Sequence, residues 1–329
     1  MTSPRTVAVL GASGLIGSAV ADLLSRRPVD LRLVARRAVT PPADGPARVQ
    51  VLSGDLTDPR FAATAVQGAD VIVHLVCHRV PGASWRVAEG DARAESVNVG
   101  TVRAVVEALG RSGTRPPPVC VFAGSTSQAG AVAGRPLDGT EPDRPTSTYD
   151  RQKLTAERLL KDATARGKVR AVSLRLSTVF GPASSPTAHD HGLVSTMARR
   201  ALAGSALTLW GSGLVERDLL YTDDAAHAFA AAIDHADGLA GGHHPVGAGS
   251  PVRLSDLFGR ISRAVAAATG QPPVPVVREE PPGHTAPTDA VGVRIDPSPF
   301  AAATGWSPRV GLDEGLRRTV DRLIRASQA

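Results

Sequence analysis

Lysine is nearly absent from this chain. Only Lys153, Lys161 and Lys168 occur among 37 basic residues, and the rest are arginine, so each lysine stands out as a chemical group. Cysteine is as scarce: Cys77 and Cys120 both lie in apolar, strand-like runs (VIVHLVC and PVCVFAG), where small buried thiols are expected. That excludes a disulfide framework and a cysteine zinc site. Aromatic residues make up 3%, and acidic and basic residues are interspersed despite a net charge of +6, which argues against stacking platforms for nucleic acid. The arginine excess suits an anionic small molecule instead. No apolar run approaches the roughly 20 residues of a membrane helix, and the apolar stretch at 7–10 is too short for a secretory signal. A cytoplasmic protein with neither nucleic acid nor membrane as partner is expected. What is present is 42% hydrophobic and 21% charged residues over 329 positions, enough for a buried core in two lobes or one large α/β unit.

The pattern begins with β-branched and apolar residues at 6–10 (TVAVL), then the turn GASGLIG, then helical spacing of Val20, Leu23 and Leu24. Strands are predicted at 31–35, 49–56 and 70–77, with a helix at 59–66. Strands alternating with helices imply parallel pairing, because each crossover must travel back along the sheet. An amphipathic helix over 95–111 carries Val99, Val102, Val105, Val106 and Leu109. A fifth strand at 118–124, a helix at 149–166 with Leu154, Leu159 and Leu160, and a sixth strand at 170–181 follow. The reading is a doubly wound α/β domain. The rhythm then changes to a loop at 182–192, a helix at 193–203, strands ALTLWG and RDLLYT, and a helix at 224–235. Pro and Gly clusters at 238–251 and 271–287 mark loops, and the linkers are too short for an independent second domain. The expected division is 1–176 with 217–238 as the nucleotide domain, and 177–216 with 239–329 as an interleaved, smaller lobe closing a substrate cleft.

The sharpest local signal is Gly11-Ala12-Ser13-Gly14-Leu15-Ile16-Gly17 between a strand and a helix. Glycine lets backbone approach a pyrophosphate, the helix start supplies free N–H groups, and Gly17 permits close helix–strand packing. At the end of the second strand, where an acidic residue would meet a ribose 2′-hydroxyl, stand Arg36 and Arg37; with Ser13 they suit a 2′-phosphate, hence NADP(H). Tyr149, one of two tyrosines, precedes Lys153 by one helical turn, so the ammonium lies near the phenol and is expected to favour phenolate. A hydroxyl to hold a substrate oxygen is available in Gly124-Ser125-Thr126-Ser127, at the carboxyl edge of the sheet. His189, His191, His243 and His244 lack a carboxylate or cysteine at ligand spacing and read as solvated loop histidines, with no metal.

The glycine turn, strand-end serine and Tyr-x-x-x-Lys helix, in this order, resemble the extended short-chain dehydrogenase/reductase family of the NAD-dependent epimerase/dehydratase type, over essentially the whole chain. The resemblance implies a Rossmann domain with catalytic Ser125, Tyr149 and Lys153. It also implies cofactor contacts from Gly11, Ser13, Gly14, Leu15, Ile16, Gly17, Arg36, Arg37, Asp55, Leu56, Leu75, Val76, Tyr149 and Lys153. Gly54-Asp55-Leu56 looks like the adenine-contacting turn and His74-Leu75-Val76 like the segment beside the nicotinamide ribose, while Asn98-Val99-Gly100-Thr101 resembles the central-helix signature. The run 217–224 (RDLLYTDD) is similar to a signature of nucleotide-sugar enzymes and implies a substrate contact from Arg217, with Ser125, Thr126, Thr178 and Trp210. Trp210 could equally be a core residue. Ala129 replaces the usual tyrosine before Gly130, and Thr178 replaces the asparagine of many relatives.

Segments 84–91, 122–130, 149–154 and 303–310 look more narrowly like NDP-4-keto-6-deoxyhexose ketoreductases of antibiotic deoxysugar pathways. That implies NADPH-dependent reduction of the C4 ketone of a dTDP-linked keto sugar, with Ser125 on the carbonyl, Tyr149 as proton donor and Lys153 lowering the phenol pKa and holding the nicotinamide ribose. A nucleotide-sugar epimerase, a C3-ketoreductase and a non-catalytic NADP(H)-binding regulator are the alternatives. A homodimer through helices 95–111 and 149–166 is also expected, from the family resemblance and from the apolar residues on both.

Overall fold

The computed structural model describes residues 4–78, 87–112, 116–132, 134–183, 190, 192–280 and 291–328. Its first half alternates strand and helix as predicted: β1 (Thr6–Leu10), α1 (Leu15–Ser25), β2 (Asp30–Ala35), β3 (Arg48–Ser53), α2 (Pro59–Val66) and β4 (Val71–His74). Helix α3 (Ala92–Glu95) runs through a π turn at Ser96–Gly100 into α4 (Thr101–Ser112), followed by β5 (Val119–Ser125), α5 (Thr148–Ala165) and β6 (Arg170–Leu176). Beyond these come β7 (Thr178–Phe180), α6 (Leu193–Leu202), β8 (Leu207–Trp210), β9 (Glu216–Arg217), β10 (Leu219–Tyr221), α7 (Thr222–Asp234), α8 (Ala236–Leu239) and β11 (His243–Val246). The chain closes with β12 (Val252–Arg253), α9 (Leu254–Thr269), β13 (Val276–Glu279), α10 (Ser298–Thr304) and α11 (Leu312–Gln328).

Seven parallel strands in the order β11-β6-β5-β4-β1-β2-β3 form the central sheet. Alternate residues serve its two faces: Val7 and Val9 pack with α1 and α7, whereas Ala8 and Leu10 pack with α2, α4 and α5. The strand order reverses at β1 and β4, which opens a crevice at their carboxyl ends. A second core, with Phe180, Leu207, Tyr221, Phe258, Ile261 and Leu316, joins α6, α9 and α11 to β8 and β13. No described helix is long and apolar enough to cross a membrane.

Several expectations are corrected. The strand expected over 170–181 breaks at Ser177: β6 stays in the sheet, while β7 pairs with β10 in a separate ribbon. The break follows from a change of partner, since Ser177 N–H donates to Val246 and Thr178 N–H donates to Asp218. The cluster at 238–251, expected as a loop, contains β11, so the boundary placed at 239 cuts through the central sheet. Pro245 is tolerated because β11 is an edge strand and needs no outward N–H donor. His243 and His244 are therefore half-buried strand residues rather than solvated loop residues; His189 and His191 lie outside the described residues. The cluster at 271–287 likewise contains β13.

The apolar residues of α4 and α5 are spent on the protein's own core. Val102, Val105, Leu109, Leu154 and Leu160 are buried, and the outward faces carry Arg103, Glu107, Arg151 and Arg158, leaving Val106 and Leu159 half-buried between them.

The segment 303–310 is an anchor. Asp224 is 2% exposed, and its two carboxylate oxygens accept the N–H groups of Arg309 and Val310 at 2.9 and 3.0 Å. Trp306 donates its indole N–H to the Asp224 carbonyl and packs on Phe300. Asp224→Ala strips both N–H groups of their acceptor and is expected to destabilise the fold by about 2 kcal/mol, read as a lower Tm in thermal unfolding.

Candidate active site

The glycine turn is built by contact. Gly11 has a φ of +90°, and a Cβ there would meet the backbone of Leu75 and Val76 at 3.1–3.2 Å. The missing side chain thus brings the end of β4 against the turn. A Cβ on Gly17 would lie 2.1 Å from the Gly11 carbonyl oxygen, so only glycine lets α1 start this close to β1. Gly14 caps α1 without a side chain and no acidic residue sits in the first turn, so the N–H groups at Leu15 and Ile16 and the positive end of the helix dipole face the crevice uncompensated. Ser13 is buried within the turn.

Arg36 and Arg37 are both exposed just past β2. Asp55 caps the following turn, accepting Thr57 N–H at 2.9 Å and Thr57 Oγ1 at 2.8 Å, and its carboxyl is held below the usual range first by that backbone bond and less by Arg36 and Arg93. Leu56 is buried beside it. These residues follow the carboxyl ends of the adjacent parallel strands β2 and β3, on one edge of the sheet.

Ser125 ends β5 and opens a short turn in which Gln128 accepts Ser125 N–H at 2.8 Å. Tyr149 and Lys153 come from the first two turns of α5, whose start is fixed by reciprocal bonds between Ser147 and Asp150. The Tyr149 phenol lies beside Ser125 and Cys77. Lys153 is 3% exposed, donates to the Ala123 carbonyl at 2.9 Å, and lies 4.9 Å from the Phe122 ring centre and 5.8 Å from that of Tyr149. Serine, tyrosine and lysine are thus brought together as predicted from their spacing. The expected electrostatics are corrected: burial pushes the Tyr149 phenol well above its ordinary pKa, reinforced by the neighbouring Cys77 and Asp150. Lys153 spends a donor on Ala123, and burial pulls its own pKa down.

Cys120 is a buried thiol as expected, pushed up to about 12 by burial. Cys77 is corrected. β4 ends at His74, so Cys77 lies past the sheet edge, half-buried in the crevice beside Tyr149. Neither Asn98 nor Gln152 was given a role at the site by the sequence. Asn98, held inward by the π turn, accepts His78 N–H at 2.7 Å and donates to Gln152 at 2.7 Å, tying the Cys77 segment to α5.

The residues expected on substrate divide. Thr126 is buried and donates to the Leu176 carbonyl at 3.3 Å, so its hydroxyl is occupied inside the fold. Thr178 begins β7, half-buried, on the same edge. Trp210 is 50% exposed at the end of β8, which removes the core reading. Arg217 on β9 donates to the carbonyls of Glu216 and Val291 at 3.0 and 2.7 Å, beside Asp218, which holds the N–H groups of Ala248 and Gly249.

Behind the serine lies a buried ion pair. Arg175 donates to both oxygens of Glu157 at 2.8 and 3.1 Å, and Gln128 and Ser173 donate to the same carboxylate at 3.0 and 2.7 Å. Burial alone would raise the Glu157 carboxyl, but Arg175 and Lys161 outweigh it and hold it at about 2. A carboxyl with a depressed pKa stabilises the fold above its unfolded value and loses that contribution as pH falls from about 4.5 towards 2, on the order of 3 kcal/mol in all. Glu157→Gln is expected to lower the urea midpoint at neutral pH and to flatten its decline across that acid window, measured by denaturant titration at stepped pH.

With this geometry in view, the likenesses to known proteins are consistent. The UDP-glucose 4-epimerase of Mycolicibacterium smegmatis is 28% identical over 331 residues, covering 97% of this chain and 99% of that protein. The dTDP-L-rhamnose 4-epimerase of Burkholderia thailandensis is 32% identical over 179 residues, 54% of this chain and 46% of that protein. Among solved structures, MoeE5 in complex with UDP-glucose and NAD superposes with a TM-score of 0.80 at 25% identity, over 99% of this chain and 100% of that one. The UDP-glucose 4-epimerase of Thermotoga maritima, at 21% identity and a TM-score of 0.81 over 98% of this chain and 100% of that one, shares the fold. Residues 7–247 match the NAD dependent epimerase/dehydratase family across the sheet, the glycine turn and the Ser125–Tyr149–Lys153 cluster, and the chain belongs to that family.

Proposed function

We propose that this protein is an NADPH-dependent reductase of the C4 ketone of a dTDP-linked 4-keto-6-deoxyhexose. The observation that carries the reading is the meeting of Ser125, at the end of β5, with Tyr149 and the buried Lys153 of α5 beside the crevice, which places a protonated phenol where it can give a proton to a substrate oxygen. The cradle fits a dinucleotide, because Gly11 and Gly17 admit no side chain and the start of α1 is uncapped. The exposed Arg36 and Arg37, with no carboxylate at the strand end, suit a 2′-phosphate and thus NADPH.

The bound cofactor supplies a hydride to the carbonyl carbon. Ser125 holds the carbonyl oxygen, and Tyr149 transfers its phenolic proton to that oxygen as negative charge develops there. Lys153, buried beneath the phenol, offers its remaining N–H donors to the nicotinamide ribose and a positive charge to the phenolate left behind. Thr178, Trp210 and Arg217, on elements of the smaller lobe or its junction with the sheet, are assigned to the nucleotide sugar. A homodimer through α4 and α5 belongs to the same proposal on the family resemblance alone, since the apolar residues of both helices are spent on the protein's own core.

A second reading, a nucleotide-sugar epimerase, is favoured by the likeness to 4-epimerases. Such an enzyme first withdraws a proton from a sugar hydroxyl and consumes no net NADPH. Incubation with NADPH and dTDP-4-keto sugars separates the two by the loss of reduced-cofactor absorbance.

Two substitutions test the assignment. Tyr149→Phe keeps the ring and removes the proton donor, so kcat is expected to fall about 10²- to 10⁴-fold with NADPH affinity little changed. Turnover near the parent rate would reject the role of Tyr149. Replacing Arg36 and Arg37 by serine is expected to raise KM for NADPH while that for NADH stays nearly constant, since only NADPH carries the extra phosphate. Equal effects on both cofactors would show that the pair does not read the phosphate.

A further inference from the structure

Four of the nine residues from Arg317 to Arg325 on α11 are arginine, and no role has so far been given to them. They border an open cleft of about 530 Å³, whose other side is formed by Pro182, just past β7, and by Tyr221 at the end of β10. None of the residues assigned to cofactor or sugar lines this cleft.

The arginines are not equivalent. Arg317 donates to Asp321 at 3.0 Å and to Glu314 at 2.8 Å, while Arg318 donates to Glu314 at 2.7 Å and lies 3.9 Å from Asp223. Both carboxylates of the cleft, Asp223 and Asp321, are thus engaged by these two. Arg322 and Arg325 have no acidic partner among the described residues, although helical spacing sets them on the same face as Arg318. Arg325, in the last turn, is favoured by the carbonyl end of the helix dipole, but Arg322 lies before that turn. Tyr221 adds no negative charge. Its phenol is pushed up to about 12 by burial, and the Arg318 guanidinium lies 5.7 Å from its ring centre.

We propose that this cleft binds a small phosphorylated metabolite, whose phosphate dianion is held by Arg322 and Arg325. Two unneutralised guanidinium groups match the two charges of the dianion, and each can present paired N–H donors to its oxygens. The volume falls in the range of about 300 to 1,000 Å³ typical of small-ligand sites, which leaves room for an organic portion beside Pro182 and Tyr221. Inorganic phosphate shares the recognised chemistry and is the other source of such a dianion. The site stands independently of the reductase reading.

Titration calorimetry on the full chain in phosphate-free buffer, with glucose 1-phosphate, inorganic phosphate and glucose as probes, tests this. Saturable binding of a phosphorylated probe, weakening as salt is added, and none of glucose, is expected. Arg322→Ser and Arg325→Ser are each expected to weaken it about tenfold, and together about a hundredfold. Tm should change little, since neither side chain holds a partner; should serine lower it, Arg322→Gln and Arg325→Gln keep the apolar stems and repeat the test. Replacing Arg36 and Arg37 by serine should leave the binding intact, which separates the cleft from the cofactor cradle. Tighter binding of glucose 1-phosphate than of phosphate upholds the site and identifies a phosphate monoester; equal binding upholds it with free phosphate as the ligand. No saturation by about 10 mM, or binding that survives the loss of both Arg322 and Arg325, overturns the proposal.

Discussion

Glu157 carries a negative charge from the middle of α5 into the interior, and the geometry of the site depends on how that charge is held. Arg175 of β6 meets it with two parallel bonds, Lys161 closes it from the next turn of α5, and Ser173 and Gln128 fill the remaining lone pairs. Such a charge inside a protein is tolerable only when fully paired, so its partners have little freedom. The consequence is a rigid joint between α5, β6 and the turn after β5. Gln128 extends it to Ser125 N–H, so the serine and the tyrosine helix are referenced to one anchor.

Within that frame the site separates its charges. Lys153 is buried against the Ala123 carbonyl and the face of Phe122, while Asp150 is buried on the other side of Tyr149 behind two serines. A low-dielectric interior strengthens each of these interactions. His74, buried nearby and pushed down to about 3 by burial and by Lys153, stays neutral and adds no competing positive charge. Among the described residues, the phenol thus has the Lys153 ammonium and the buried Asp150 carboxyl as near neighbours.

The smaller lobe is fastened by the same device used at the site: buried carboxylates that accept backbone N–H groups. Asp218 holds Ala248 and Gly249, and Asp224 holds Arg309 and Val310. The run 217–224, read as part of a nucleotide-sugar signature, therefore supplies both struts, Asp218 and Asp224.

The sequence by itself determined the order of strands and helices through β6, the glycine turn, and the grouping of Ser125, Tyr149 and Lys153. All of these rest on local rules: alternation in buried strands, a turn only glycine can make, and the helical spacing that stacks Lys153 one turn beyond Tyr149. It did not reveal β11, because a strand of HHPV inside a Pro- and Gly-rich stretch lacks the periodic signal and is stabilised only by β6 beside it. The position of Cys77 and the occupied hydroxyl of Thr126 depended in the same way on where strands end against one another. The protonation of Tyr149 was beyond sequence for a further reason. Helical spacing brought a lysine near the phenol, but the sign of the effect was decided by burial, with Cys77 and Asp150 adding to it, and Cys77 reaches the phenol only across the fold. Local propensity fixes which groups meet; the desolvation and charge that set their chemistry exist only once the chain is packed around them.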